Sequence, residues 1–138
     1  MTALAADAIY RRRGPAIVRN EFAYSLAAGE KCFRGSHLAT NAAGNLVRVQ
    51  TAGSVTYQGI ADRTLDNTGS AAVSVDKVTP MKGTWVIPVP GATVANIGAT
   101  VYATDDGTLT LTQSGSLLTV GVLRGFDGGL TCIDIVGS

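Results

Sequence analysis

Asp105 and Asp106, inside the stretch "IGATVYATDDGTLTLTQSG", are the one adjacent pair of carboxylates in the chain. Two acids side by side could share a proton for general acid–base work, or hold a hard cation. Their neighbours suit a different task. A Thr before the pair, a Gly after it and alternating apolar residues on both sides are the signals of a hairpin corner.

An internal echo points the same way. The segment from Gly29, "GEKCFRGSHLATNAAGNLVRVQTAGSVTYQGIA", runs parallel to "GATVYATDDGTLTLTQSGSLLTVGVL" from Gly98. In the first copy the position of the acidic pair is taken by "TNAAGN", which has no carboxylate. Asn and Asp share a short side chain that bonds its own backbone and tolerates left-handed conformations, so the property retained is turn formation rather than charge.

The other reactive residue types form no constellation. His37, in "RGSHLAT", is the sole histidine, and no nucleophile elbow surrounds any serine. Cys32 and Cys132 are far apart and belong to no ligand-spaced cluster, so free buried thiols are expected and no metal site is assigned. No phosphate-binding glycine loop or EF-hand loop is present. "VTPMKGTW" places Lys82 after Met81 in a way that resembles the modified lysine of biotinyl and lipoyl carrier domains. Gly83 stands where the carrier motif needs Met or Ala, and the expected reading is a turn closed by Pro80 and Gly83 ahead of a strand carrying Trp85. No cofactor is expected, and the chain reads as a non-enzyme.

"YRRRGP" is the one charge cluster. Tyr10 with Arg11, Arg12 and Arg13 could meet a nucleic-acid backbone, but one short cluster in a near-neutral chain favours bidentate pairing with carboxylates of a protein partner. Pro15 biases Gly14 away from helix, which predicts an extended N-terminal arm over residues 1–16.

The elements that must position these residues are short strands. "NLVRVQ", "AAVSVDKV", "TWVIPV", "TLTLTQ" and "LTCIDIV" alternate with period two, and turn clusters such as "LDNTGS", "TDDG" and "FDGG" separate them. "SLAAGEK" is the least strand-like window and the candidate for a short helix. The pattern predicts an all-β fold, a small sandwich or barrel of antiparallel strands spanning residues 17–138. Two similar hairpin units are expected within it, at about 29–61 and 98–123.

The bulk numbers fit one domain of 138 residues. Charged residues make up 15% of the chain, against about 25% in an average soluble domain, so little keeps copies apart. A net charge of +1 supplies no global field toward nucleic acid or an anionic membrane. No window reaches membrane-span length, and the N-terminal stretch lacks a signal-peptide apolar core. Synthesis in the cytoplasm without secretion, and no membrane partner, are therefore expected.

The order "GIADRTLDNTGSAAVSVDKVTPMKGTWVIPV", "IGATVYATDDGTLTLTQSG", "VGVLRGFDGGLTCIDI" resembles the capsid decoration, or cement, proteins of tailed bacteriophages. The likeness runs from about Gly29 to Ile135 and rests on strand-and-turn patterns rather than on a chemical group. It implies a β-rich virion protein on the outer surface of the phage head, trimeric at threefold and quasi-threefold points. It would bind the major capsid protein and stabilise the expanded shell. Such families carry no catalytic residues. Trp85, Tyr102 and Phe126 are then the candidates for surfaces covered by capsid or sister subunits, alongside Tyr10 and the three arginines. Which of the three aromatics faces the core instead is left open, and Trp85 reads as core or subunit interface. A tail or appendage β module binding a receptor or carbohydrate is the alternative.

Overall fold

The computed structural model describes residues 3–8, 10–12, 22–49 and 53–135. These are all-β and antiparallel, as the period-two windows predict; the helical element among them is a single 3-10 turn, Val94–Asn96. "SLAAGEK" is a turn, not a helix: a positive φ of 74° at Gly29 reverses the chain there.

The strands in chain order are β1 (Arg11–Arg12), β2 (Tyr24–Ser25), β3 (Lys31–Cys32), β4 (His37–Thr40), β5 (Leu46–Arg48), β6 (Thr56–Ala61) and β7 (Leu65–Asp66). They continue with β8 (Lys77–Val78), β9 (Pro80–Met81), β10 (Gly83–Val86), β11 (Thr100–Asp105), β12 (Thr108–Thr110), β13 (Leu118–Asp127) and β14 (Leu130–Ile135). One sheet runs β1-β10-β14-β13-β11-β12 and a second runs β5-β4-β6-β9, with two-stranded pairs β2-β8 and β3-β7 beside them. The two larger sheets share one core. Ala39, Tyr57 and Ile60 come from the four-stranded sheet, and Trp85, Val101, Leu109, Leu123 and Ile133 from the six-stranded one. A smaller cluster of Leu26, Cys32, Leu38, Leu46, Ala61 and Val78 packs under the short pairs.

β4–β5–β6 and β11–β12–β13 are built alike. In each, the first strand pairs with both of the others. Each first strand also meets its third strand across a one-residue bulge at the equivalent place. Leu38 faces Gly59 and Ala39 faces Tyr57, leaving Gln58 extra; Val101 faces Gly121 and Tyr102 faces Thr119, leaving Val120 extra. Glycine is required at that step in both. A Cβ on Gly59 would stand 2.5 Å from the Met81 carbonyl oxygen, and one on Gly121 1.9 Å from that of Asp134.

Two expectations need correction. "AAVSVDKV" is a strand only at its end, β8, and its alternation is inverted: Val73 and Val75 are exposed while Ser74 is buried. The Ser74 hydroxyl accepts the Leu26 amide at 2.8 Å and donates to the Asp76 carbonyl at 2.5 Å, so the polar side chain closes the loop from inside. The turn expected from Pro80 to Gly83 is instead two strands that meet at Lys82, Pro80 in β9 and Gly83 in β10. β9 belongs to the four-stranded sheet and β10 to the six-stranded one, so Met81–Gly83 is a crossover, with φ +99° at Gly83. The Lys82 carbonyl there accepts the Trp85 indole N–H at 2.9 Å.

Candidate functional site

The acidic pair stands at the corner of the β11–β12 hairpin, and the Asp105 carboxylate accepts the Gly107 amide at 2.8 Å, two residues on. In the matching hairpin the Asn41 side-chain oxygen accepts the amides of Ala43 and Asn45, both at 3.0 Å. The two side chains close their turns by the same chemistry.

The corner is also inside the molecule. Asp105 is 3% exposed and Asp106 1%. The Asp106 carboxylate accepts the Leu4 amide at 3.0 Å and the Ser36 hydroxyl at 3.1 Å, with the Arg48 guanidinium 3.7 Å away. Its carbonyl accepts the His37 amide at 2.8 Å. Arg48 in turn lies 3.5 Å from Glu30, whose carboxylate caps the amides of Lys31 and Arg48. Burial pushes the Asp106 carboxyl above the usual carboxylate range, opposed by the bonds from Leu4 and Ser36 and by Arg48. Burial, and then the Asp106 charge, raise the Tyr10 phenol.

His37 is wholly buried beside this corner. Its Nδ1 lies 2.8 Å from the Tyr57 hydroxyl, and its Nε2 has no hydrogen-bond partner among the described residues. Desolvation lowers the imidazole to about 4, although the Asp105 charge pulls the other way. The Tyr57 phenol is pushed well above its ordinary value, first by burial and then by Tyr10. Ser36, His37, Tyr57, Asp105 and Asp106 thus form a polar junction where the two sheets and the N-terminal segment meet. Its bonds are directed inward, and no group of three metal-ligating side chains gathers among the described residues.

Residues 34–37 carry the attachment of that segment. The Arg34 carbonyl accepts the Ala8 amide at 2.7 Å, and the Arg34 amide donates to Asp7 at 3.2 Å. Thr64 donates its hydroxyl to the same Asp7 carboxylate. Gly35 leaves room for the passing chain, since a Cβ there would stand 1.9 Å from the Ala8 carbonyl oxygen.

The residues singled out in the sequence for partner contact differ in burial. Trp85 is 7% exposed and belongs to the chain's own core, one of the two places its sequence context allows. The reason is topological: β10 is interior in its sheet, between β1 and β14, and Trp85 lies opposite Ile133. Tyr102 and Phe126 are half-buried. Tyr10 packs against the main core and lines a cleft of about 50 Å³ with Ala8, Met81 and Trp85. Arg11 and Arg12 pair through their backbone with Val86 and Trp85 at the sheet edge. Arg13 to Ala16, the rest of the expected arm, lie outside the described residues. Cys32 and Cys132 are free and buried, with the Cys32 thiol pushed up to about 11 chiefly by burial.

The apolar side chains that do reach solvent escaped the sequence reading. Val75 is 95% exposed, Val94 72% and Phe22 60%. A cleft of about 220 Å³ lined by Tyr10, Pro88, Pro90 and Leu109 lies below the roughly 300 Å³ at which ligand pockets begin. No helix among the described residues is long and apolar enough to cross a membrane. No protein-family model, curated protein or solved structure matches the chain.

Proposed function

We propose that the chain is a structural virion protein that docks on the outer surface of a tailed-phage head, as a trimer at threefold and quasi-threefold points. There it stabilises the expanded shell. The observation that supports this reading is the exposed apolar set, Val75 and Phe22 in connecting segments and Val94 in the 3-10 turn. Such side chains gain from burial against a neighbour, and the low charge of the chain opposes that burial little.

Stabilisation follows from linkage. A subunit that binds the expanded shell and not its dissociated parts shifts the equilibrium by RT ln(1 + [L]/Kd). Three linked copies turn weak single contacts into a durable one through effective concentration, and closed symmetry stops growth at a defined cluster.

The test is co-sedimentation of the purified chain with expanded heads, using unexpanded precursor shells for comparison. Saturable binding to expanded heads, with a raised shell melting temperature, is expected. Absence of binding to both shells overturns the reading and brings forward an appendage module that binds a receptor or carbohydrate. Replacing Arg11, Arg12 and Arg13 by Ala should weaken shell binding; unchanged affinity removes the arginine cluster from the contact.

A further inference from the structure

We propose that His37 makes the junction between the two sheets an acid-sensitive latch, whose protonation frees the N-terminal segment, residues 3–8, while the rest of the β domain stays folded. The case is geometric. The imidazole is completely buried, one nitrogen is taken by the Tyr57 hydroxyl, and the other faces no partner among the described residues. A neutral ring tolerates that arrangement because its second nitrogen is then an acceptor whose loss of water is the only cost. An imidazolium does not, because it brings a charge and a second N–H into a fully buried place where no described group accepts from it.

The groups around the ring do not supply the missing acceptor. From the β11–β12 corner, the Asp105 carboxylate favours the charged ring, yet one of its oxygens is committed to the Gly107 amide. Asp106 is committed to Leu4, Ser36 and Arg48. From β6, the Tyr57 hydroxyl accepts from Nδ1–H, both in the neutral tautomer that leaves Nε2 an acceptor and in the charged ring, and it has nothing for Nε2. From β5 and the loop before β3, Arg48 and Glu30 are directed at each other. Tyr10, from the N-terminal segment, feels the Asp106 charge and carries a phenol raised by burial, so it stays neutral through the acid range.

The consequence is directed because of what lies next to the ring along β4. Arg34, Gly35, Ser36 and His37 are consecutive. Arg34 bonds Ala8 and Asp7, Gly35 seats Ala8, and Ser36 with the His37 amide holds Asp106, which holds Leu4. A proton on His37 that shifts the start of β4 therefore loosens the tethers of Leu4, Asp7 and Ala8 that run through residues 34–37, and leaves the Thr64 bond to Asp7 as the one described tether outside them. The strand pairs β13–β14 and β10–β14 share none of these bonds.

The experiment is residue-resolved hydrogen exchange and NMR on the full chain, from neutral pH down to about pH 4. The sole histidine gives one unambiguous imidazole signal. The amides of Leu4 and Ala8 should lose protection by about tenfold or more, after correction for intrinsic rates, over the range in which that signal titrates. The amides of Ile87 and Leu123, bonded to Thr131 and Ala99, should keep theirs. In His37→Gln the loss should disappear. Protection of Leu4 that is unchanged by acid overturns the proposal, as does loss of protection in all four amides together. Persistence of the response in His37→Gln assigns it to the carboxylates and also overturns it. Should that variant not fold, the wild-type chain decides: release of Leu4 outside the titration range of the imidazole is incompatible with the latch.

Discussion

Asp105 and Asp106 share a backbone corner but not a job, and replacing each by Asn separates the two. At Asp105 the amide oxygen can still accept from Gly107, so Asp105→Asn should change stability by less than about 1 kcal/mol. At Asp106 two donors and a guanidinium converge, and an amide cannot accept from all of them. Asp106→Asn should cost about 2 kcal/mol, and Asp106→Ala rather more. Urea midpoints of the three variants check this; equal losses at the two positions would contradict the division of labour. His37 sets the pH response. The folded chain holds the imidazole neutral down to about 4 against an ordinary 6.5, so its contribution is complete above pH 6.5 and is lost as pH falls toward 4. The shift corresponds to roughly 3 kcal/mol, and thermal melts across that window should flatten in His37→Gln. The turn role of the pair was legible because it is local chemistry, an Asx residue ahead of a Gly. Its burial was not. Leu4 is 102 residues from Asp106 and Ser36 is 70, and nothing in "TDDG" announces either.

Strand windows were legible where alternation coincides with burial and misleading where it does not. β14 turns Ile133 and Ile135 into the main core as the alternation of "LTCIDIV" suggests. "AAVSVDKV" has the same period, yet the chain turns its valines outward because Ser74 is needed inside to hold Leu26. Periodicity records which residues could share a face; the available hydrogen-bond partners decide which face is buried. The bulge glycines give the sharpest test at this scale. Gly121→Ala drives a methyl into the backbone of Asp134 and should cost about 3 kcal/mol or more. Gly44→Ala, at φ +84° with nothing within 4 Å, should cost only about 1 kcal/mol of backbone strain. Chemical denaturation distinguishes them, and similar losses would mean that close approach at the bulge is not what demands glycine.

For the molecule as a whole, the exposed apolar loops separate folding from assembly. Val75 contributes almost nothing to the chain's own core, so Val75→Asp should leave stability within about 0.5 kcal/mol of the parent. On the proposed reading it should reduce binding to expanded heads at least about tenfold, the order expected when a charge is buried without a partner. Full binding by a stable Val75→Asp chain removes that loop from the docking face. The all-β class and the absence of long helical periodicity were readable from composition and turns. The face presented to a partner was not, because Trp85 fits core and interface equally in sequence and is core only once β10 is flanked on both sides.

A chain that builds the same three-stranded frame twice, bulge included, faces a sorting problem while it folds. β4 could dock on β13, or β11 on β6, with the backbone satisfied in either case. The side chains break the tie. His37 meets the Tyr57 hydroxyl only when β4 finds β6, and the equivalent place on β13 offers Thr119, whose shorter side chain brings its hydroxyl less far. The buried pair that tunes the acid response therefore also serves as a proofreading mark. Chains lacking it, Tyr57→Phe among them, should refold with more mispaired, slowly resolving species than their loss of stability alone would produce.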